Sequence, residues 1–356
     1  MKKHNFYAGP AILPQEVFKE ASQAVLDFNG MGLSILEISH RSAEFQAVMD
    51  EAYELVRELL TLPDHYEPMF LQGGASGQFG MIPMNILGDN ETAGYVNTGN
   101  WAEKAIKDAK LYGNVTLLAD SSDKNYSYIP KEYSIPTDLK YLHITSNNTV
   151  RGTQYHSLPD TEVKLVADMS SDIFSRPLDI KKYGVIYAGA QKNMGPAGTT
   201  LLIVDKNFLN EPVRPLPNMM NYQNHISKKS SYNTPPAFAV YVSMLTLRWV
   251  KAQGGVKAMA KKNIEKSTLL YNEIDNNELF FGTTEKEDRS QMSVTFKLQD
   301  EELTNTFLEK CAEAGCVGIK GHRSVGGFRA SIYNAMELEG VKTLVDVMKD
   351  LGSKKG

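Results

Sequence analysis

Apolar residues recur along this chain with two different spacings, and each spacing predicts a different kind of element. Near the start, apolar positions three and four apart predict amphipathic helices over 15–28 and 44–60. From 68 to 204, short apolar runs alternate with helical segments. These predict strands over 68–72, 115–119, 141–145, 164–167 and 184–188, a further strand ending at 95–97, and helices over 78–87 and from 99 onward. The alternation is typical of an α/β fold with a mostly parallel central sheet and helices on both faces.

The pattern changes after Val204. Irregular stretches that contain proline are followed by helices predicted at about 237–252 and 256–275. The later segments predict strands over 292–298, 317–319 and 328–333 and helices over 301–314 and 338–351. We expect these last elements to form a small C-terminal α+β domain. The predicted organisation is therefore an N-terminal arm (1–15), a large domain (16–255) and a small domain (256–356).

Two of the predicted strands lead to an acid and a lysine. The run at 164–167 ends at Asp168, and the run at 184–188 is followed within a glycine-containing turn by Lys192. Carboxyl ends of parallel strands meet at one edge of an open sheet, where ligands bind in such folds. An Asp that caps a helix and a solvated Lys are the commoner uses of single residues of these types. The loop around Lys192 is nonpolar and low in charge, which favours one shared ligand site.

Pyridoxal 5′-phosphate (PLP) is a cofactor whose chemistry requires such a pair. A lysine holds this cofactor as a Schiff base, and an acidic residue keeps its pyridine nitrogen protonated so that the ring accepts electrons. The lysine must supply a neutral amine, and burial near other cations lowers its pKa toward that state. We therefore predict a PLP site with Lys192 and Asp168 as its catalytic residues.

Other residues at the same predicted edge suit this cofactor. The segment 73–77 (GGASG) turns from a strand into a helix, where backbone N–H groups bind phosphate, although an ordinary turn would have a similar sequence. Trp101 follows another strand end and could stack on a cofactor ring, but core packing is the commoner use of Trp. Thr149 lies in a polar stretch and could hydrogen-bond the cofactor or belong to a plain turn. Asn233-Thr234 can cap the helix that follows them.

Basic residues that could bind anions occur in two regions. His40 and Arg41 precede the second helix, near a helix start where anions are favoured, and a solvated arginine is the simpler alternative. His322 and Arg323 lie in a turn of the C-terminal unit, and Arg329 follows them.

Composition narrows the class of protein. The chain has 356 residues, of which 42% are hydrophobic and 22% charged, with a net charge of −4. This balance lacks the basic surplus of a nucleic-acid-binding protein, and no run of about 18 apolar residues predicts a membrane span. The only cysteines, Cys311 and Cys316, are too few for a disulfide framework and lack metal-ligand spacing. We expect a cytoplasmic globular protein without a metal site.

Sequence blocks along nearly the whole chain resemble the phosphoserine aminotransferase family, within the class V aminotransferases of PLP fold type I. The matching blocks, in the family's order, are Asn5-Phe6 with Gly9-Pro10, Ser39-His40-Arg41-Ser42, 72–79 (QGGASGQF), Asn97-Thr98-Gly99-Asn100-Trp101, 168–172 (DMSSD), Ala190-Gln191-Lys192-Asn193, Gly195-Pro196-Ala197-Gly198, 232–236 (YNTPP) and 329–335 (RASIYNA).

The resemblance implies a role for each matching residue. Lys192 would carry the Schiff base, Asp168 would pair with the pyridine nitrogen, and Trp101 would stack on the ring. The remaining cofactor contacts would come from Ala75, Ser76 and Gln191 to the phosphate, from Thr149 to the ring hydroxyl side, and from Asn233 and Thr234 to the phosphate of a neighbouring subunit's cofactor. In the same terms Arg329 would hold the substrate α-carboxylate, and His40, Arg41, His322 and Arg323 would hold its distal anionic group.

The family resemblance also implies a reaction and an assembly. Family members are homodimers with sites at the subunit interface. They transfer an amino group between O-phosphoserine and 2-oxoglutarate by a ping-pong cycle, in serine biosynthesis and, with phosphohydroxythreonine, in pyridoxine biosynthesis. Two positions depart from the family pattern. Ser76 stands where many relatives have Arg, and Ala8 stands where others have Ser.

Four other functions fit the sequence less well. A cysteine desulfurase or selenocysteine lyase needs a reactive Cys on a mobile loop, whereas both cysteines lie in or at the end of a predicted helix. A transaminase of alanine, serine or glyoxylate would not need the paired His-Arg dipeptides. An inactive PLP-binding homologue would not need both Asp168 and Lys192. A dinucleotide dehydrogenase would need the G-x-G-x-x-G fingerprint, which is missing.

Overall fold

The structure is a computed structural model that describes residues 2–353. The helices are α1 (Gln15–Leu26), α2 (Ala43–Leu60), α3 (Gly74–Ile86), α4 (Asn100–Ala109), α5 (Lys206–Leu209), α6 (Tyr222–Ser227), α7 (Ala237–Ala252), α8 (Gly255–Asn276), α9 (Thr304–Glu313) and α10 (Leu338–Ser353). The strands are β1 (His4–Asn5), β2 (Tyr66–Leu71), β3 (Thr92–Asn97), β4 (Asn114–Asp120), β5 (Leu142–Thr145), β6 (Asn147–Asn148), β7 (Thr153–Gln154), β8 (Leu165–Asp168), β9 (Tyr183–Gly189), β10 (Thr200–Asp205), β11 (Phe280–Gly282), β12 (Ser293–Leu298), β13 (Cys316–Val317) and β14 (Phe328–Ser331).

A seven-stranded sheet forms the centre of the fold. Its strand order is β2-β10-β9-β8-β5-β3-β4. Only β10 runs against its neighbours, pairing antiparallel with both β2 and β9, while the other pairs are parallel. The predicted mostly parallel α/β sheet is therefore confirmed, and the carboxyl ends of six strands lie at one edge.

Helices cover both faces of this sheet because alternate side chains of each strand point to opposite faces. In β9, Ile186 and Ala188 pack into the core beneath α1, α2 and α7, whereas Val185 and Tyr187 pack into a second core with α3 and α4. All four of these side chains are buried, with at most 1% exposed. The near-continuous apolar sequence of β9 is explained by this burial on two sides.

The C-terminal unit is a three-stranded antiparallel sheet, in the order β11-β12-β14, backed by helices α9 and α10. The N-terminal arm belongs to this unit as well. Strand β1 pairs in parallel with β13, and the side chain of Phe6 is fully buried in the same apolar core. Helix α8 contributes Met259 to the large core and Leu270 to the small one. The domain boundaries at 15 and 255 stay a prediction, and Met1 and residues 354–356 lie outside the described residues.

Several predicted elements differ in detail. Helix α3 begins at Gly74, not at residue 78, because Gly73 adopts a positive φ of 97° that turns the chain directly from strand to helix. The helix predicted over 301–314 starts as a 3₁₀ turn, and its α-helical part begins at Thr304. Asn233 and Thr234 do not cap α7, whose preceding residue is Pro236 with no side-chain cap. Strands β1 and β11 and helix α6 were not predicted, because two- to six-residue elements carry little periodicity.

The part of the chain that the structure describes has neither a membrane-spanning helix nor a cluster of metal-ligand side chains. Its helices include none that is long and apolar enough to cross a membrane. Between residues 2 and 353, no group of three or more His, Cys, Asp or Glu side chains could hold a metal ion. Cys311 and Cys316 are both buried and unbridged, as small apolar residues of the C-terminal core.

Candidate active site

The loop that carries Lys192 is fixed at the sheet edge between β9 and β10. Its ends are joined by a hydrogen bond from the Ala190 N–H to the Thr199 carbonyl at 3.1 Å. Asn193 is buried, donates from Nδ2 to the Ile173 carbonyl at 2.5 Å and accepts at Oδ1 from the Asn334 N–H at 2.9 Å. The backbone around Lys192 is therefore tied to both the large and the C-terminal units.

Lys192 points its amine at polar and aromatic groups of neighbouring strands. The Nζ atom donates to Thr149 Oγ1 at 2.7 Å and lies 5.7 Å from the centroid of the Trp101 ring. Burial lowers the pKa of Lys192 to about 8, and the positive charge of Arg329 acts in the same direction, against the opposing charge of Asp168. A substantial fraction of this amine is therefore neutral near pH 8, which is the state that attacks a carbonyl.

Asp168 lies at the end of β8 with only 5% of its surface exposed. Its Oδ1 accepts a hydrogen bond from the Ser170 N–H at 2.9 Å. Burial raises the pKa of Asp168, while Lys192 and the bond from Ser170 oppose that rise. A cationic N–H donor placed beside this carboxylate would stabilise its charged form.

The segment that follows Asp168 supports both residues, and sequence reasoning assigned it no role. Ser170 Oγ accepts from the Gly189 N–H at 3.1 Å, which joins the ends of β8 and β9. Asp172 is buried and accepts hydrogen bonds from Ser146, from Gln154 Nε2 at 3.2 Å and from Arg176 at 3.2 Å. The polar run 170–172, directly after a buried strand, was the available signal for these supporting contacts.

The start of α3 provides free backbone donors beside this group. Ala75 and Ser76 lie in the first helical turn, whose leading N–H groups have no intrahelical acceptor. Next to it, Gln72 Oε1 accepts from Asn233 Nδ2 at 3.1 Å, and Gln72 Nε2 donates to the Thr234 carbonyl at 3.0 Å. Asn233 and Thr234 thus lie beside the helix start, with their side chains at the partly exposed surface.

Trp101 and Thr149 come from separate segments that converge on Lys192. Trp101 lies in the first turn of α4, after Gly99 in an extended conformation with positive φ, and its buried Nε1 has no partner among the residues described. Thr149 is buried at the turn between β6 and β7, which pair as a short hairpin over 147–154. Gln191 is anchored through its carbonyl, which accepts from the Ala11 N–H at 2.9 Å.

Arg329 is the residue of the C-terminal unit whose charge acts on Lys192. It lies on β14, and its backbone N–H donates to the Ile319 carbonyl at 2.8 Å. Burial lowers the pKa of Arg329, and its Nε is buried without a partner in the described part of the chain. His322 and Arg323 lie on the adjoining loop, where His322 Nδ1 pairs with Ser324 Oγ at 2.7 Å. Burial, followed by the charges of Arg329, Arg323 and Arg151, lowers the pKa of His322.

His40 and Arg41 lie apart from these contacts. They precede α2, whose N-terminal residue Ser42 accepts at its side chain from the Phe45 N–H. The His40 carbonyl accepts from Gln46 Nε2 at 2.8 Å, and Arg41 is exposed. We call Lys192, Asp168, Trp101, Thr149 and Arg329 the Lys192 group. Within residues 2–353 neither side chain of the dipeptide forms a hydrogen bond or ion pair with this group. One chain therefore brings together Lys192, Asp168, Trp101, Thr149 and Arg329, but not this dipeptide.

Comparison with known proteins agrees with this arrangement. The description "Aminotransferase class-V" belongs to the family model that matches residues 3–344. A phosphoserine aminotransferase of Flavobacterium johnsoniae is 58% identical over 355 residues, covering 99% of this chain and 100% of that protein. Among solved structures, a phosphoserine aminotransferase from Bacillus circulans subsp. alkalophilus has a TM-score of 0.96 at 44% identity, covering 100% of this chain and 99% of its own. A PLP-bound phosphoserine aminotransferase from Trichomonas vaginalis has a TM-score of 0.93 at 35% identity, covering 98% of this chain and all of its own.

The resemblance predicted from sequence is therefore confirmed over nearly the full length of the chain. The class-V family model covers residues 3–344, and a phosphoserine aminotransferase is identical at 58% of 355 aligned positions. The chain therefore belongs to the aminotransferase class-V family, among the phosphoserine aminotransferases, and is a transaminase.

Proposed function

We propose that this transaminase transfers an amino group between O-phosphoserine and 2-oxoglutarate, with 3-phosphohydroxypyruvate and glutamate as the other pair, and that it uses PLP. The observation that carries the proposal is the partly buried Lys192 amine, with its pKa lowered to about 8, beside the buried Asp168 carboxylate. The names of the similar proteins supply the substrate: they are phosphoserine aminotransferases.

The residues around Lys192 fit PLP. A neutral amine suits the cofactor's aldehyde, and a buried acid suits a protonated pyridine nitrogen. The unpartnered N–H groups at the start of α3 suit its phosphate, because a helix N-terminus attracts anions. The Nε1 atom of Trp101 is buried and has no hydrogen-bond partner among the described residues. The indole ring is therefore held at the site without a hydrogen bond to the protein. In this proposal Lys192, Asp168, Trp101, Thr149, Ala75, Ser76 and Gln191 hold the cofactor within one chain.

When bound, the cofactor supplies an electron-accepting ring that stabilises negative charge at the substrate α-carbon. Asp168 would pair its carboxylate with the ring nitrogen, and the hydrogen bond from the Ser170 N–H holds that carboxylate in place. The Lys192 Nζ atom would take the proton from the substrate α-carbon and pass it to the bound cofactor, and in the second half of the cycle it would move a proton in the opposite direction. Thr149 positions this amine through the bond at 2.7 Å.

Substrate selection rests on the basic residues. Arg329 binds the α-carboxylate, since its guanidinium carries unused donors close to Lys192. His322 and Arg323 bind the distal phosphate or carboxylate from the neighbouring loop. Both amino donors, phosphoserine and glutamate, carry a distal anionic group, so one set of cations serves both. Ser76 contributes no charge here, and at Ala8 only the backbone is available for such a contact.

A homodimer completes the proposed site. His40 and Arg41 join the distal-anion residues, and Asn233 and Thr234 reach a cofactor phosphate, across the subunit interface. The proposal includes an N-terminal arm, a large cofactor-binding domain and a small C-terminal domain, with boundaries at 15 and 255. It also includes a cytoplasmic role in serine biosynthesis and use of phosphohydroxythreonine in pyridoxine biosynthesis. Sedimentation of the purified holoenzyme tests the dimer.

The decisive experiment measures transamination by the purified holoenzyme with phosphoserine and 2-oxoglutarate, beside alanine with glyoxylate. We expect turnover with the first pair and rates at least a hundredfold lower with the second, because alanine has no distal anion. Comparable rates for both pairs would contradict the proposed specificity.

The same assay with three variants tests the proposed residues. Lys192→Ala should abolish turnover and the visible absorbance of bound cofactor, while Lys107→Ala, an exposed lysine on α4, should retain both. Arg329→Leu should weaken binding of both amino donors together, because both present an α-carboxylate. Weakening of one donor only would contradict that role of Arg329.

A further inference from the structure

A cavity of ≈ 520 Å³ lies outside the Lys192 group, between the 124–127 segment and the C-terminal unit. Its lining carries three cations, Lys124, Arg151 and Lys297. No Asp or Glu lines it, and none of the three cations forms an ion pair with any residue between 2 and 353. Lys124 and Arg151 instead lie over the rings of Tyr128 and Tyr126, at 5.5 and 5.0 Å from the ring centroids.

Hydrogen bonds between the two units fix the walls of this cavity. The Arg151 carbonyl accepts from Thr284 Oγ1 at 2.9 Å and from Thr295 Oγ1 at 3.1 Å. The Glu285 N–H donates to the Ser127 carbonyl at 2.9 Å. The cations therefore sit on a backbone that is already positioned, so that a ligand need not order it on binding.

The charge of the cavity opposes that of the chain. The protein carries a net charge of −4, yet three positive side chains line one half-open cleft whose lining residues include no Asp or Glu. Like charges in a cleft repel one another and raise the local concentration of anions. The buried Nε of Arg151 also has no partner in the described structure, which leaves a donor unsatisfied. A multiply charged anion would relieve both costs.

We propose that this cavity is a second anion site, which binds a small phosphorylated molecule through Lys124, Arg151 and Lys297. A phosphate group matches the charge of this set and can take two donors from the Arg151 guanidinium. Ser127 and Asn125 line the same wall and can add neutral donors. The volume suits a small metabolite, because ligand cavities range from about 300 to 1,000 Å³.

The site adjoins a loop that matters for the proposed reaction. Ser324 and Val325 form part of its wall, and Ser324 Oγ pairs with His322 Nδ1 at 2.7 Å. An anion held there would steady this loop and so affect how His322 and Arg323 bind the substrate. This effect on substrate binding rests on the proposed function, whereas binding of the anion does not.

Calorimetric titration of the holoenzyme with inorganic phosphate at constant ionic strength tests the site. We compare the unmodified protein with the double variant Lys124→Gln/Lys297→Gln. The matched control is Lys257→Gln/Lys349→Gln, which removes two exposed lysines and changes the net charge equally. We expect the first double variant to bind phosphate at least tenfold more weakly and the control to bind it as the unmodified protein does.

A third variant separates this site from the substrate site. Arg41→Leu should retain phosphate binding at the cavity, and Lys124→Gln/Lys297→Gln should retain transamination in phosphate-free buffer. The proposal is overturned if the unmodified protein binds no phosphate, if the double variant binds it equally well, or if Arg41→Leu alone removes it. Absence of transamination in the unmodified protein, with normal phosphate binding, would instead count against the proposed function.

Discussion

The Lys192 amine donates a hydrogen bond to the Thr149 hydroxyl at 2.7 Å. The two residues are brought together from the ends of different strands, since Lys192 follows β9 and Thr149 follows β6. This contact aims the amine across the sheet edge, toward Trp101 and the C-terminal Arg329. The direction of the reactive group is thus set by a residue that carries no charge.

Removal of this contact should slow the reaction without unfolding the protein. We expect Thr149→Val to lower kcat about three- to tenfold, because a neutral hydrogen bond contributes about 0.5 to 1.5 kcal/mol. Thr149→Ser keeps the hydroxyl and should restore most of the rate. Steady-state kinetics of both variants measure the effect. Full activity in Thr149→Val beside a loss in Thr149→Ser would show that the methyl group, not the hydroxyl, matters.

The lowered pKa of Lys192 predicts how capture of PLP by the cofactor-free protein depends on pH. Only the neutral amine reacts, so the capture rate should rise with pH and level off above about 8, the pKa of Lys192 in the folded protein. With a lysine of ordinary pKa, the capture rate would keep rising up to about pH 10.4. Stopped-flow absorbance at a series of pH values follows the reaction.

The negative charge of Asp168 affects the pH midpoint of this capture profile. This charge opposes the lowering of the Lys192 pKa, so Asp168→Asn should move the midpoint of the capture profile to lower pH. Asp160→Asn removes an exposed carboxylate and should leave the midpoint unchanged. A midpoint that moves upward in Asp168→Asn would contradict the electrostatic coupling between the two residues.

Sequence patterns predicted the α/β sheet and the proximity of Asp168 and Lys192, because both depend on the spacing of apolar residues over short stretches of the chain. The strands that end at Asp168 and precede Lys192 are buried on both faces, so their apolar runs were conspicuous. The small features were missed for the opposite reason. Strand β1 has two residues, and its partner β13 lies more than three hundred positions along the chain, so no local pattern joins His4 to Cys316.

Contacts between distant segments were likewise invisible in the sequence. Asn233 was expected to cap a helix, but α7 starts only after Pro236, three residues further along the chain, and Asn233 instead hydrogen-bonds Gln72. The cations at 124, 151 and 297 converge on one cavity only in three dimensions. In the sequence each is a lone basic residue, which a solvated surface position explains equally well.

Close packing between the Lys192 loop and α7 predicts a sharp difference between two glycines. A Cβ atom added at Gly195 would lie 2.2 Å from Ser243 Oγ and 3.2 Å from the Ser243 Cα, so the loop or the helix must move. We expect Gly195→Ala to cost about 1 to 3 kcal/mol of unfolding free energy and to reduce activity. Gly80→Ala, on α3 with no atom nearer than 3.9 Å, should be neutral or stabilising by up to about 1 kcal/mol. Urea unfolding and activity assays of both variants decide this, and similar stabilities would contradict it.

Lys266 predicts an unusual dependence of stability on pH. The side chain is 2% exposed, and its Nζ donates to the Ile332 and Tyr333 carbonyls at 2.9 and 2.7 Å. Burial, with a smaller effect of the Lys262 charge, lowers the pKa of Lys266 to about 7. The unfolded chain binds this proton up to about pH 10.4, so from pH 7 to 9 unfolding takes up a proton and stability rises with pH.

The slope from one such group approaches about 1.4 kcal/mol per pH unit between its two pKa values. Urea unfolding of the holoenzyme at pH 7, 8 and 9 should show this rise, and Lys266→Met should flatten it. The variant leaves the Ile332 and Tyr333 carbonyls without their hydrogen-bond donor, so it is less stable than the unmodified protein at pH 9. The informative quantity is therefore the slope of stability against pH and not the stability itself. Lys257→Met, at an exposed position, should keep the full slope. An unchanged slope in Lys266→Met would mean that Lys266 stays protonated in the folded protein throughout this range.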